Sequence, residues 1–149
     1  RNLPHIKFAM TWFTERLPEE LGRNLPENLI FTGYLDINEF NELFINAGAA
    51  ISLTTQKGTQ PSAAAEAIAF GVPIILSESE TARLLYDDVP VYVENEPLSI
   101  ANGITEVFAN ISMYTDKVVD FKGLLEREIE EEVDILNSTS YMIAEPYLV

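Results

Sequence analysis

AAISLTTQKGTQPSAAAEAIAFGVPIILS, residues 49–77, reads as strand, loop, helix and strand in direct succession. AAISLTT (49–55) is mostly apolar, as a strand covered on both faces is. QKGTQPS (56–62) carries the turn formers Gly58 and Pro61. The alanine-rich run that follows is nearly all apolar, and VPIILS (72–77) has the β-branched content of a second buried strand. A helix set between two strands by such short loops predicts a parallel pair joined by a crossover.

The same alternation extends outward in both directions. IKFAMTW (6–12) predicts a strand, LPEELGRN (17–24) a short helix and LIFTG (29–33) a strand ended by Gly33. DINEFNELFINAG (36–48) predicts a helix with Asp36 as N-cap, Glu39 completing a capping box and Gly48 as C-cap. Its apolar face is Ile37, Phe40, Leu43, Phe44 and Ala47. Downstream, ETARLLYDD (80–88) predicts a helix, VPVYVEN (89–95) the last strand and SIANGITEVFANISM (99–113) a helix. A longer helix is expected from about Val118 to Leu136. Phe121, Leu125, Ile129, Val133 and Leu136 form its stripe, and its many acids form a solvated face. With no repeat or linker, residues 1–149 are expected to form one α/β domain, a parallel sheet with helices on both faces.

Composition narrows the functional classes. The chain has no cysteine and one histidine, His5, which excludes a disulfide framework and argues against a zinc site or a Ser-His-Asp triad. Its formal charge is −15, from 24 acidic and 9 basic residues, a field that repels nucleic-acid backbones. No apolar run approaches the ~18 to 20 residues of a membrane-spanning helix, and RNLPHIKF has no secretory pattern. A cytoplasmic location is expected.

In open α/β sheets, ligands bind beyond the carboxyl ends of strands, where loops meet helix N-termini. QKGTQPS occupies such a place. Gly58 lets a backbone approach closely, and Pro61 suits the start of a helix whose first amides attract anions. Thr59, Gln60 and Ser62 add polar groups and Lys57 a positive charge, a set suited to a diphosphate. Ser62 and Glu66 stand one turn apart on one helix face, with Phe70 below. The alanines at 63, 64, 65, 67 and 69 allow close packing, so that little of this helix need meet water. A carboxylate held there requires donors, and the vicinal hydroxyls of a ribose supply two. Solvent or an arginine would satisfy it equally.

At these residues the sequence resembles the donor-binding, C-terminal half of GT-B glycosyltransferases of the "Glycosyl transferases group 1" type. EAIAFGVPIILSE resembles the family's E-A-x-x-x-G-x-P signature, with LIFTGYLDINEFNELFINAGAAISLTT before it and VPVYVENEPLSIANGI after it in register. The likeness covers residues 3 to 135 and implies a Rossmann-like domain. It also implies that Glu66 contacts the nucleotide ribose, that Thr59, Gln60, Pro61 and Ser62 hold the diphosphate, and that Gly33, Tyr34 and Leu35 line the base. Many relatives carry a second glutamate, at the place of Gly58 here, which touches the donor sugar. Thr11, Trp12 and Phe13 stand where relatives have a glycine-rich turn. The family's first strand and helix have no counterpart, which implies a fragment or a chain completed by another polypeptide.

The resemblance thus implies sugar transfer from a nucleoside diphosphate sugar to an acceptor hydroxyl. It implies no metal or other cofactor, and an acceptor-binding N-terminal half in the same or a separate chain. It assigns no catalytic residue. A non-catalytic binding or scaffold domain and a nucleotide-sugar epimerase of similar fold are the alternatives. Trp12 and Arg83 are secondary candidates, Arg83 being expected to pair with Glu80 or Asp87.

Overall fold

A computed structural model of the chain describes residues 3–22, 25–56 and 58–144. Five short strands alternate with helices: β1 (Phe8–Met10), α1 (Glu19–Gly22), β2 (Leu29–Phe31), α2 (Ile37–Ile45), β3 (Ala50–Ser52), α3 (Ser62–Phe70), β4 (Ile74–Ser77), α4 (Glu80–Tyr86), β5 (Val91–Val93), α5 (Pro97–Ala109) and α6 (Ile111–Ala144). Every strand pairing is parallel. The strands form two sheets, β1–β2 and β3–β4–β5. The fold is α/β, of Rossmann-like form, with helices on both faces.

β4 shows why two helical layers are required. All four of its residues are buried. Successive side chains of a strand point to opposite faces, so Ile74 and Leu76 enter one apolar cluster and Ile75 the other. On the first face, Ala64, Ala67 and Ile68 of α3 meet Ala82 and Tyr86 of α4 and Val118 of α6. On the second, Ile104 and Val107 of α5 pack on Ile75 and Val93, with Phe8 of β1 against the same cluster. α5 therefore spans from one sheet toward the other.

Local chemistry sets the helix ends. The Asp36 carboxylate accepts from the Asn38 and Glu39 amides at 2.8 and 3.0 Å, and Glu39 accepts from the Asp36 amide at 2.9 Å, the expected capping box. α3 stops at Gly71, whose φ of +70° is the left-handed conformation a glycine adopts at low cost.

Several expectations are corrected. α2 ends at Asn46 rather than at a Gly48 cap. Gly48 is instead where α5 approaches, since a Cβ there would lie 3.0 Å from the Phe108 ring. β3 is not covered on both faces, for Ile51 is exposed. Ala65 and Ala69 also face solvent, so α3 is buried along Ala64, Ala67 and Ile68 only. The last helix begins at Ile111, not near Val118, and takes residues 111–113 from the helix expected over 99–113. Its stripe divides: Phe121 and Leu125 pack on the core, while Ile129, Val133 and Leu136 are exposed. At ~1.5 Å per residue, so long a helix outruns the layers that support it. Residues 23–24 of the short helix expected over 17–24 lie outside the described residues. Among the described residues, no helix is long and apolar enough to cross a membrane.

Tyr92 ties β5 to the end of α4. Its single hydroxyl proton is shared between the Asp87 and Ala82 carbonyl oxygens, 2.8 and 3.0 Å away, steadying a turn in which Asp87 has a φ of +47°. Burial pushes this phenol up to about 12, against the opposing pull of the Arg83 guanidinium 4.1 Å from its ring centroid. Because the folded value lies above the ordinary 10.0, the contribution to stability is full below pH 10 and is lost as pH rises toward 12. Ultraviolet titration of phenolate is expected to show a late step near 12 that Tyr92→Phe removes. A titration unchanged in Tyr92→Phe would overturn the assignment.

Candidate functional site

Two loops follow strands in the manner expected of a ligand site, 32–36 after β2 and 53–61 after β3. The second is anchored by a ring of hydrogen bonds that no sequence pattern announced. The Thr54 amide donates to Ser77 Oγ at 2.9 Å, Ser77 Oγ donates to Asn95 Oδ1 at 2.7 Å, and Asn95 Nδ2 donates to the Thr54 carbonyl at 2.9 Å. The carboxyl ends of β3, β4 and β5 are thereby laced together. Ser77 is the one buried polar side chain among the described residues, and this ring satisfies it. A serine closing the apolar run VPIILS was the only hint available beforehand.

From that anchor the loop runs through Gly58, at φ +78°, where a Cβ would meet nothing within 4 Å. The backbone there is open to solvent. Lys57 lies outside the described residues. Thr59 Oγ1 reaches Gln56 Oε1 at 3.5 Å, and Gln60 Nε2 donates to Tyr86 Oη at 3.3 Å, which turns Gln60 toward α4. Pro61 occupies the N-cap position with φ −70° and offers no capping side chain. Ser62, the first residue of α3, is exposed. The opening amides of α3 at Ser62 and Ala63 consequently have no hydrogen-bond acceptor among the described residues.

Glu66 follows one turn later. It is half-buried and lines a cavity of about 440 Å³ with Ala63, Phe40 and Phe44. Phe44 stacks on Phe70 at 5.4 Å between centroids, so the face carrying Glu66 and Phe70 is turned toward α2. Neither a hydrogen bond nor an ion pair to Glu66 is made among the described residues, and no arginine meets it.

The first loop stands apart from this cavity. Gly33 takes φ +68°, and its amide donates to the Trp12 carbonyl at 3.2 Å. Tyr34 is 82% exposed, leaving its ring free for stacking, and Leu35 is half-buried. Of the described residues expected at the site, Glu66 alone lines the cavity; Gly58, Thr59, Gln60, Pro61 and Ser62 lie outside its lining, as do Gly33, Tyr34 and Leu35, and Gln60 faces α4 and α6 instead.

Arg83 is corrected. It pairs with Glu78, not with Glu80 or Asp87, through Nε to Oε1 at 2.8 Å and a second nitrogen to Oε2 at 2.6 Å. That two-point contact holds the Glu78 carboxyl below its usual range and occupies the guanidinium fork. His5 and Trp12 are exposed, and neither lines the cavity.

Comparison with protein-family models, with curated proteins and with solved structures finds no match to this chain.

Proposed function

We propose that this chain is the nucleotide-sugar-binding domain of a cytoplasmic GT-B glycosyltransferase, which moves a sugar from a nucleoside diphosphate to an acceptor hydroxyl. The observation that carries the reading is Glu66. It is a half-buried carboxylate without a partner among the described residues, one turn inside a helix whose first amides are also unpaired. Two adjacent ribose hydroxyls would donate to its two oxygens. The diphosphate would lie over the Ser62 and Ala63 amides and the open backbone at Gly58, with Tyr34 available to stack on the base.

In the reaction, the acceptor oxygen bonds to the anomeric carbon as the bond from that carbon to the phosphate oxygen breaks. The acceptor proton passes to a base, and the electron pair leaves with the diphosphate. This domain's share is to position the donor and to meet the growing charge with dipoles fixed before the reaction. A second, acceptor-binding half, in the same or another chain, would supply the remaining wall.

Calorimetry with UDP and with GDP tests the reading. Glu66→Ala is expected to weaken nucleotide binding at least tenfold, about 1.4 kcal/mol. Equal affinity in the two proteins would remove the basis of the proposal. A non-catalytic binding domain is the second reading, favoured by Gly58 at the place of the sugar-touching glutamate. Absence of nucleotide binding in the folded chain would support it.

A further inference from the structure

Thr54 is where the loop 53–61 leaves the sheet, and its amide, carbonyl and hydroxyl are all engaged. The amide donates to Ser77 Oγ at 2.9 Å, the carbonyl accepts from Asn95 Nδ2 at 2.9 Å, and the hydroxyl accepts from the Gln56 amide at 3.1 Å. The first two bonds fix the peptide planes on either side of the Thr54 Cα, and with them the only two soft dihedrals of that residue. Asn95 closes this arrangement from 41 positions away, and it also accepts from Ser77 Oγ at 2.7 Å. Asn95 is itself placed by the turn into α5. There the Glu94 amide donates to Ser99 Oγ at 3.0 Å and the Glu96 amide to the Glu94 carbonyl at 2.7 Å. The Glu78 amide donates to the Val93 carbonyl at 2.9 Å, which keeps Ser77 beside Asn95. Downstream of Thr54, the groups available to an anion are main-chain amides, at Gly58 with its open surroundings and at Ser62 and Ala63. A main-chain amide has no rotamer of its own. It points where the path of the chain points it.

We propose that Asn95 is a positioning residue for the diphosphate of the nucleotide, acting through Thr54 to aim loop amides that it does not touch. The inference rests on the nucleotide-sugar reading and adds to it a residue to which that reading gives no part. A primary amide donates and accepts at once, so one side chain can take the Ser77 hydroxyl proton and bind the Thr54 carbonyl. Aspartate has the same shape but no donor, and alanine has neither group. Hydrogen bonds from amides to a charged phosphate are strong only at short range, about 2.7–2.9 Å, so a loop released at its root forfeits them. Base and ribose, held at Tyr34 and Glu66 on other elements, would keep their contacts. A ring that only capped the strand ends would change stability and leave affinity alone, whereas a positioning ring changes affinity for the phosphates in particular.

Calorimetry on the intact chain with UDP and GDP, each compared with its nucleoside, tests the assignment. Asn95→Ala is expected to weaken the diphosphate about tenfold, the loss of roughly one charge-assisted amide contact, and the nucleoside less than about twofold. Asn95 is exposed, so this variant keeps the apolar core. Asn95→Asp keeps the shape and the Ser77 contact but sets an oxygen against the Thr54 carbonyl. It is expected to match the alanine variant, and it carries the test should that variant fail to fold. Ser77→Ala together with Asn95→Ala should cost no more than the larger single loss, because a ring broken once is already open. Unchanged affinity for the diphosphate in both Asn95 variants, equal losses for diphosphate and nucleoside, or additive losses in the double variant would each overturn the proposal and leave the nucleotide-sugar reading standing. Failure of the parent chain to bind either diphosphate would overturn both.

Discussion

Ile75→Ala is expected to lower the free energy of unfolding by about 3 kcal/mol, within the usual range for emptying a fully buried aliphatic site. Ile75 is 0% exposed. It pairs in register with Ile51 on one side and Val91 on the other, and it is the residue of β4 that turns to the smaller apolar cluster with Val93, Ile104 and Val107. Truncation removes three methyl or methylene carbons and leaves a void that the neighbouring strands cannot close without shifting. Because Ile75 also lines the cavity between the sheets, α5 can settle partly into the space, which holds the cost below the upper end of that range. A domain of this size has about 5–15 kcal/mol in total, so the change is a large fraction. Urea denaturation followed by circular dichroism should show an earlier midpoint with an unchanged slope. Leu84, 87% exposed on α4, is the control: Leu84→Ala should stay within about 0.5 kcal/mol of the parent. Equal effects from the two substitutions would contradict the burial argument.

The second large effect is expected at Gly103, in the middle of α5. Helix propensity alone favours alanine there by about 1 kcal/mol. Packing opposes it, since an added Cβ would collide with Val93 Cγ1 and lie 3.4 Å from Val91 Cγ1 and 3.7 Å from Ile75 Cγ2. Val93 is buried among Ile75, Ile104 and Val107, and its β-branching restricts χ1, so it has little room to swing aside. The helix must therefore lift from the sheet. Overpacking of this kind costs roughly 1–3 kcal/mol, and a contact so short belongs at the upper end, so the net outcome is destabilisation by about 2 kcal/mol. A double-mutant cycle supplies the discriminating measurement. In a Val93→Ala background the offending methyl is gone, and Gly103→Ala should become nearly neutral, a coupling of about 1–2 kcal/mol. Additive behaviour would show that the glycine is not there for close approach.

How far each feature was legible depends on the range of the interaction behind it. The Asp36–Glu39 capping box was readable because the partners are three residues apart and meet as soon as a helix forms. The alternation of strand and helix was readable for a similar reason: each element's period is set by its own backbone. The left-handed glycines at 33, 58 and 71 mark turns for the same local cause. Glu66 was conspicuous as a charge among alanines, but its lack of an arginine partner became evident only from what surrounds it.

Contacts between distant segments followed no such rule. Arg83 chose Glu78 over Glu80 and Asp87, because Ser79 caps α4 and brings the residue just before it beneath the guanidinium. Gly48 read as a helix cap, yet its smallness serves Phe108, sixty residues away. The Thr54–Ser77–Asn95 ring joins three strand ends across as many as 41 positions. The sequence by itself determined the class of fold, the Asp36–Glu39 capping box and the candidate carboxylate, since all three arise from short-range backbone periodicity and side-chain chemistry. Tertiary structure alone decided that the five strands divide into two sheets with a cavity between them. Which edges find partners depends on how the layers meet in space, and no local preference encodes that.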